Sequence, residues 1–414
     1  MPVYITRLSS FFPNRPVCND KMEKYIGLVN QKSLLAKTLI LGKNGITNRY
    51  YAIGENGEIT HTNAEMAAEA VRGLGVPLEE IDLLTCGTAS PEQVMPSHGV
   101  MVHGELKGSC NTEVVSFAGS CCTGMQALKY AWMALQSGDK KNAVCVASER
   151  LSAWMMARYF EKESELINRL KKRPILAFEK EFLRWMLSDG SVAAYLTTSS
   201  SVRIAQSNAI GTDNGKDCFV PRNDDASSPV IANAVKQSQS NDSVAFRIEW
   251  IELTSYANEV ETCMYAGAEK DADGRLRGWT SYSEDDWLNK SIFSLKQDTK
   301  MLDEYIVPLG GRFLKEIVEK RNFDPSSVDW FLPHLSSMYF EKKIEEELVH
   351  LGYDIPKEKW FYNLPQIGNI ASASAFAMLD ELQRSHRLRK GDRILLMVPE
   401  SARFSYAYAL LTAI

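Results

Sequence analysis

Two stretches far apart in the chain follow the same plan, and that repetition limits the architecture more than any other feature. Pro77-Leu-Glu-Glu-Ile81-Asp82 and Asp324-Pro-Ser-Ser-Val328-Asp329 are both acidic turns, each followed by an apolar strand pattern and then a small or polar loop; the two aspartates stand 247 residues apart. Forty residues beyond each aspartate come Cys122 and Asn369, each at the opening of an apolar helix pattern. After those helices, Ser137-Gly-Asp139 and Lys390-Gly-Asp392 turn the chain into another buried strand. One such match could be chance between two ordinary junctions, but two landmarks at identical spacing point to a diverged internal repeat. Repeated strand-helix-strand units with continuous apolar strands predict an α/β protein of two pseudo-repeated halves, each with a mixed, mainly parallel sheet covered by helices. The expected division is 1–200 for the first half, a polar connection or lid at 201–241, and 242–414 for the second half. A charged amphipathic segment at about 154–186 reads as a helical insertion in the first half, bordering a tunnel or a subunit interface. A length of 414 residues accommodates two such halves.

The first half is organised around Phe117-Ala-Gly-Ser-Cys-Cys-Thr-Gly-Met125. The β-branched run Val114-Val115 ends there, and Met125, Leu128, Trp132 and Leu135 then recur at helical spacing until Gly138. A cysteine between a buried strand and a helix N-terminus meets unpaired N–H groups and the positive end of the helix dipole, which favour a thiolate and can hold an oxyanion. Cys122 is expected to be the nucleophile because it opens the helix, with Cys121 directed back toward the sheet. The plainer reading is two small apolar core cysteines.

Composition narrows the function. A net charge of −5 with dispersed lysines gives no basic surplus for nucleic acid. No stretch of eighteen apolar residues suggests a membrane span, and the N-terminus lacks a signal pattern, so a cytoplasmic protein is expected. The eight cysteines show no CxxC pairing, and His61, His98, His103, His350 and His386 are not spaced beside them as metal ligands, so no metal is expected.

If the halves pack about a pseudo-twofold axis, the helix starts at Cys122 and Asn369 face each other with His334 alongside. His334 follows the strand Val328–Leu332, its backbone fixed by Pro333. Singly, such a histidine is more often structural and such an asparagine a helix cap. Tied by the repeat to a helix-opening cysteine, they become a candidate catalytic set.

Ser120-Cys-Cys122-Thr-Gly-Met, Leu332-Pro-His334-Leu-Ser-Ser and Ile367-Gly-Asn369-Ile-Ala-Ser-Ala-Ser resemble the Cys, His and Asn blocks of ketoacyl synthase III and its relatives in the thiolase superfamily. Asn44-Gly-Ile-Thr-Asn-Arg49, Ile81-Asp through Pro91, Ser188-Asp-Gly190 and Arg389-Lys-Gly-Asp392 extend the likeness over nearly the whole chain. The resemblance implies a five-layer αβαβα fold, a homodimer, no bound cofactor, and acyl thioester substrates carried on phosphopantetheine or coenzyme A. The length, the Tyr50-Tyr51 loop and Thr60-His-Thr-Asn63 look most similar to the branch that makes dialkylresorcinol and stilbene precursors, which adds a ring closure. Two positions depart from the pattern. Pro399-Glu-Ser-Ala-Arg403-Phe replaces a glycine-rich loop, leaving the amide of Ala402 or of Arg403 to join that of Cys122 in an oxyanion hole. Leu39 falls near the residue that stacks on adenine, which favours an acyl carrier protein as donor and partner.

In the mechanism this implies, Cys122 accepts the acyl group, and His334 and Asn369 stabilise the enolate of a malonyl or β-ketoacyl thioester, which attacks to form a carbon–carbon bond. Glu149 is the candidate base for ring closure, against the plainer reading of a strand-end glutamate paired with Arg150 or another cation. Lys43 and Arg49 are candidates to meet a phosphopantetheine phosphate, against the reading of solvated cations. Three rival functions remain: an acyltransferase that makes an ester, a non-catalytic acyl-binding subunit, and a cysteine protease. The protease reading lacks a C-G-x-C-W signature and has no use for the repeat.

Overall fold

The strands that flank the repeated landmarks pair edge to edge, and their order displays the duplication. The computed structural model describes residues 1–29, 35–160, 182–198, 244–271 and 273–414. The connection at 201–241 and positions 161–181 of the insertion lie outside the described residues. Nine strands form the main sheet: β1 (Tyr4–Phe11), β2 (Leu83–Thr88), β3 (Glu113–Ala118), β4 (Asn142–Glu149), β5 (Gly190–Thr197), β6 (Phe246–Ser255), β7 (Trp330–Pro333), β8 (Arg393–Glu400) and β9 (Ser405–Ala413). Their order is β7-β8-β9-β6-β1-β5-β4-β2-β3.

The halves join where β1 meets β6 antiparallel, through Tyr4 opposite Arg247 and Ile5 opposite Phe246. Outward from that seam, β1-β5-β4 and β6-β9-β8 are antiparallel in both halves. The next neighbours, β4–β2 and β8–β7, are parallel in both. The first half ends with parallel β3, and the second ends with a parallel bridge between Phe331 and Trp360 in the same place. The two aspartates of the repeat also act alike: Asp82 accepts from the Lys141 N–H at 3.1 Å, and Asp329 from the Arg393 N–H at 2.8 Å. Each pins the start of the strand that follows its half's central helix.

Those central helices are α3 (Thr123–Ser137) and α6 (Ser374–Arg384). Both pack against strands of both halves of the sheet, so they form the middle layer. Helices α1 (Asn63–Gly73) and α2 (His98–Glu105) cover the outer side of the first half, and α4 (Thr299–Arg321) and α5 (Tyr339–His350) that of the second. This is the layered thiolase-type arrangement. Local signals act as the sequence suggests: Thr62 and Glu65 close a reciprocal capping box, and Gly138 ends α3 in the left-handed region at φ 83°. The short helix Met22–Ile26 has no side-chain cap, and the Asn19 side chain bonds the Ile46 carbonyl and Arg49.

Gly124 is required where the halves touch. A Cβ on it would lie 2.4 Å from the Ser372 carbonyl oxygen, so the first turn of α3 and the turn Ala371–Ala373 can approach only across a glycine. That contact brings the two candidate loops to one place.

Candidate active site

A cavity of about 200 Å³ opens at the ends of the central helices, and its wall includes Cys121, His334 and Asn369. Most of the remaining wall is apolar, contributed by the two ends of the 154–186 segment, Trp154 and Leu183, and by Ile306 and Phe340 of α4 and α5.

The cysteine at the wall is Cys121, whereas Cys122 was expected there. Cys122 is fully buried; its thiol donates to the Val398 carbonyl at 3.3 Å and its N–H to Glu400 Oε2 at 3.2 Å. The turn Ser120–Thr123, closed by the Thr123 N–H on the Ser120 carbonyl at 3.0 Å, leaves Cys121 facing the cavity and tucks Cys122 against β8. Burial pushes the Cys121 thiol up to about 12, and Glu400 and Glu149 push in the same direction. Desolvation and the adjacent carboxylate therefore outweigh the helix dipole, and the resting sulfur is a thiol.

His334 is carried by β7 and fixed by its N–H on the Met397 carbonyl at 2.8 Å. It is buried, its Nδ1 meets no partner among the described residues, and burial pushes the imidazole down to about 4, so the ring is neutral at neutral pH. Asn369 is held at three points. Its N–H donates to the Met186 carbonyl at 3.0 Å, its carbonyl accepts from Ser188 at 2.9 Å, and its Oδ1 accepts from Ala371 at 2.9 Å. With Oδ1 engaged, the carboxamide NH₂ is the group available to the cavity. The Ser188-Asp189-Gly190 block supports this from behind: Ser188 Oγ accepts from the Tyr50 N–H, and Asp189 accepts from Ala52 and Ser152.

The expected oxyanion donors divide. The Cys122 amide is already engaged by Glu400, which removes it from that role. Ala402 lines the cavity, its carbonyl fixed by the N–H groups of Cys263 and Met264. Arg403 does not line it; the residue is exposed and its Nε donates to the Val260 carbonyl.

Glu149 is not at the cavity wall, and it has no ion pair with Arg150, which instead meets Glu92 at 2.8 Å. The Glu149 carboxylate is enclosed by hydroxyl and amide donors, so it presents no free oxygen to a substrate. Arg49 is fully buried, donating to Asn19 Oδ1 and the Trp185 carbonyl, and is therefore not a surface cation that could meet a phosphate. Lys43 is exposed on the helix Leu35–Asn44 and lies away from the cavity wall. The Leu39 side chain lies outside the described set. Glu400 is the residue that sequence reasoning missed. Its position in the segment replacing a glycine-rich loop was a signal, but its partner, 278 residues away, was not. Among the described residues, no group of three or more metal-ligating side chains comes together and no helix is long and apolar enough to cross a membrane.

The duplicated sheet with paired central helices is a thiolase-type fold. Residues 318–411 match the family model described as 3-oxoacyl-acyl-carrier-protein (ACP) synthase III C terminal. The β-ketoacyl-acyl-carrier-protein synthase III of Clostridium perfringens is 24% identical over 387 residues, which cover 94% of this chain and 92% of that protein. Among solved structures, the tetronic acid condensing enzyme AbyA1 is 19% identical with a TM-score of 0.69, covering 99% of both chains. Xanthomonas campestris OleA with bound lauric acid and lauroyl-CoA is 17% identical with a TM-score of 0.67, covering 100% of this chain and 99% of that one. In sequence and in fold the chain is similar to ketoacyl synthase III and related condensing enzymes.

Proposed function

We propose that this protein is an acyl-transferring condensing enzyme that joins an acyl group to a malonyl or β-ketoacyl thioester through an acyl-cysteine on Cys121. The observation that carries this reading is the single cavity wall shared by Cys121, His334 and Asn369, continued by an apolar lining fit for a hydrocarbon chain.

The Cys121 sulfur attacks the thioester carbonyl, the thiol proton leaves with the departing carrier thiol, and an S-acyl bond replaces the original one. The Cys121 amide has no acceptor in another residue among the described residues, and with the Ala402 amide it would hold the tetrahedral oxyanion. In the second half-reaction the His334 ring N–H and the Asn369 NH₂ donate to the carbonyl oxygen of the extender thioester. They stabilise the enolate left when a malonyl group loses carbon dioxide or a ketoacyl group gives up its α-proton to water. The enolate carbon attacks the acyl-enzyme, forms the carbon–carbon bond and frees the sulfur. A neutral histidine suits this role because it donates one hydrogen bond without carrying a charge. The names of the curated relatives favour an acyl carrier protein as the donor. Ring closure is not assigned to Glu149, whose oxygens are enclosed by donors.

The test is incubation of the protein with acyl carrier-protein thioesters of graded chain length and a malonyl carrier protein, with intact-mass and product analysis. A labelled Cys121 and a β-ketoacyl product are expected. An ester product, or no labelled cysteine with any donor, overturns the reading.

A further inference from the structure

Glu149 ends β4 at zero exposure with no cation to balance it among the described residues, so its surroundings must compensate an expensive burial. The Ala89 N–H donates to both carboxylate oxygens, at 2.9 and 3.1 Å. Ser90 Oγ donates at 2.6 Å, and Thr88 Oγ1 lies at 3.4 Å. From the other half of the molecule, Ser372 donates twice, through its N–H at 3.2 Å and its Oγ at 2.5 Å. The carboxylate therefore bridges the halves at the point where Gly124 lets them touch. Such a donor-only environment suits an anion; a carboxamide in its place would turn an NH₂ toward N–H and O–H groups.

Ser372 lies in the turn that sets Asn369. The residue before it, Ala371, has φ +39°, a left-handed conformation that a residue with a Cβ rarely adopts without being held. In that conformation the Ala371 N–H reaches Asn369 Oδ1 at 2.9 Å. The links run from Glu149 to Ser372, to the Ala371 amide, and to the Asn369 carboxamide.

We infer that Glu149 is a positioning residue: its carboxylate clamps the turn Ala371–Ala373 and thereby fixes the Asn369 amide as a donor toward the extender substrate. This rests on the function proposed above and adds a division within it. Acylation of Cys121 does not use Asn369 and is insensitive to the clamp; formation of the enolate depends on it.

The experiment measures both half-reactions separately in the full chain, acylation by intact-protein mass spectrometry and carbon dioxide release from malonyl carrier protein by the pre-acylated enzyme. For Glu149→Gln, acylation is expected to equal or exceed wild type, because the Glu149 charge that helps hold the Cys121 thiol up is gone, while decarboxylation is reduced roughly 10- to 100-fold, the size of effect that loss of alignment gives. In the Asn369→Ala background, Glu149→Gln should cost almost nothing further, because both changes remove the same donor. Ser372→Ala, which removes one of the bonds, should show the same split at smaller size and decides the matter if Glu149→Gln does not fold. Equal loss of both half-reactions, or full additivity with Asn369→Ala, overturns the clamp. A wild-type protein that acylates but never releases carbon dioxide from any malonyl donor overturns the function itself.

Discussion

The N–H of Cys122 donates to Glu400 Oε2 at 3.2 Å, so a carboxylate from the second half of the chain sits at the start of the helix behind the candidate nucleophile. This position ordinarily stabilises an anion, and here the anion is the glutamate in place of the sulfur. Burial raises the Glu400 carboxyl, and its charge in turn raises both neighbouring thiols.

Removing that charge should activate the cysteine. Glu400→Gln keeps an oxygen to accept from Cys122 but removes the larger of the two carboxylate charges acting on Cys121, so the thiol pKa falls. At pH 8 the thiolate fraction should rise about tenfold for each unit of that fall, and the rate of Cys121 alkylation by iodoacetamide by roughly threefold, the lower-pKa thiolate being the weaker nucleophile. An alkylation rate equal to wild type between pH 7 and 9 would show that Glu400 does not act on the sulfur.

The two adjacent cysteines should separate cleanly. Cys121→Ser should abolish acyl labelling. Cys122→Ala removes only the Sγ contact to the Val398 carbonyl and a small buried volume, and should keep labelling while lowering stability by about 1–2 kcal/mol. Retained labelling in Cys121→Ser, with loss in Cys122→Ala, would reverse the assignment.

His334 should not titrate near the usual 6.5. Its ring is buried and pushed down to about 4, so long-range proton–nitrogen NMR should show a neutral imidazole from pH 8 to 5. The sign for stability follows. The folded state disfavours the proton that the unfolded chain takes up near 6.5, so stability falls as pH drops from 6.5 toward 4. His334→Gln should lose less stability over that interval. A midpoint at 6 or above would mean that water reaches the ring freely.

What could be read from the residues was what the repeat transmits. Asp82 and Asp329, the paired strand orders, and the meeting of His334 with Asn369 all follow from two copies of one unit, and periodicity reveals copies. Which of Cys121 and Cys122 faces the cavity was not legible, because Cys122 is held away from it by Glu400 and Val398, which touch the turn only after folding. The same holds for Glu149 and Arg49. A strand-end glutamate and a loop arginine look like surface charges until the chain closes over them, and the hydroxyls and carbonyls that hold them carry no sequence pattern.

Gly124 offers a direct test of how closely the halves must approach. In Gly124→Ala the new methyl would lie 2.4 Å from the Ser372 carbonyl oxygen, a backbone atom that cannot swing aside. The turn would have to move, straining the Glu149 clamp, so a loss of about 1–3 kcal/mol is expected in denaturant unfolding. Decarboxylation should fall more than acylation. A variant as stable and active as wild type would mean that the two central helices have slack between them.

The outer edge of β3 points to a second copy. Among the described residues the strand is paired on one side only, with β2, and its residues Val114 to Phe117 are half-buried where an open edge would normally carry protective charges. In the loop before α2, Val94 and Met95 are 82% and 80% exposed, more than a monomer usually leaves to water in adjacent apolar residues. Antiparallel pairing of β3 with its symmetry mate would satisfy the free edge and continue the sheet through the assembly. Sedimentation should therefore give twice the chain mass of 46.5 kDa. Val94→Asp with Met95→Asp should weaken the dimer without lowering the melting temperature of the monomer. A wild-type protein that sediments as a monomer at micromolar concentration would leave the β3 edge to water, and the homodimer would fall with it.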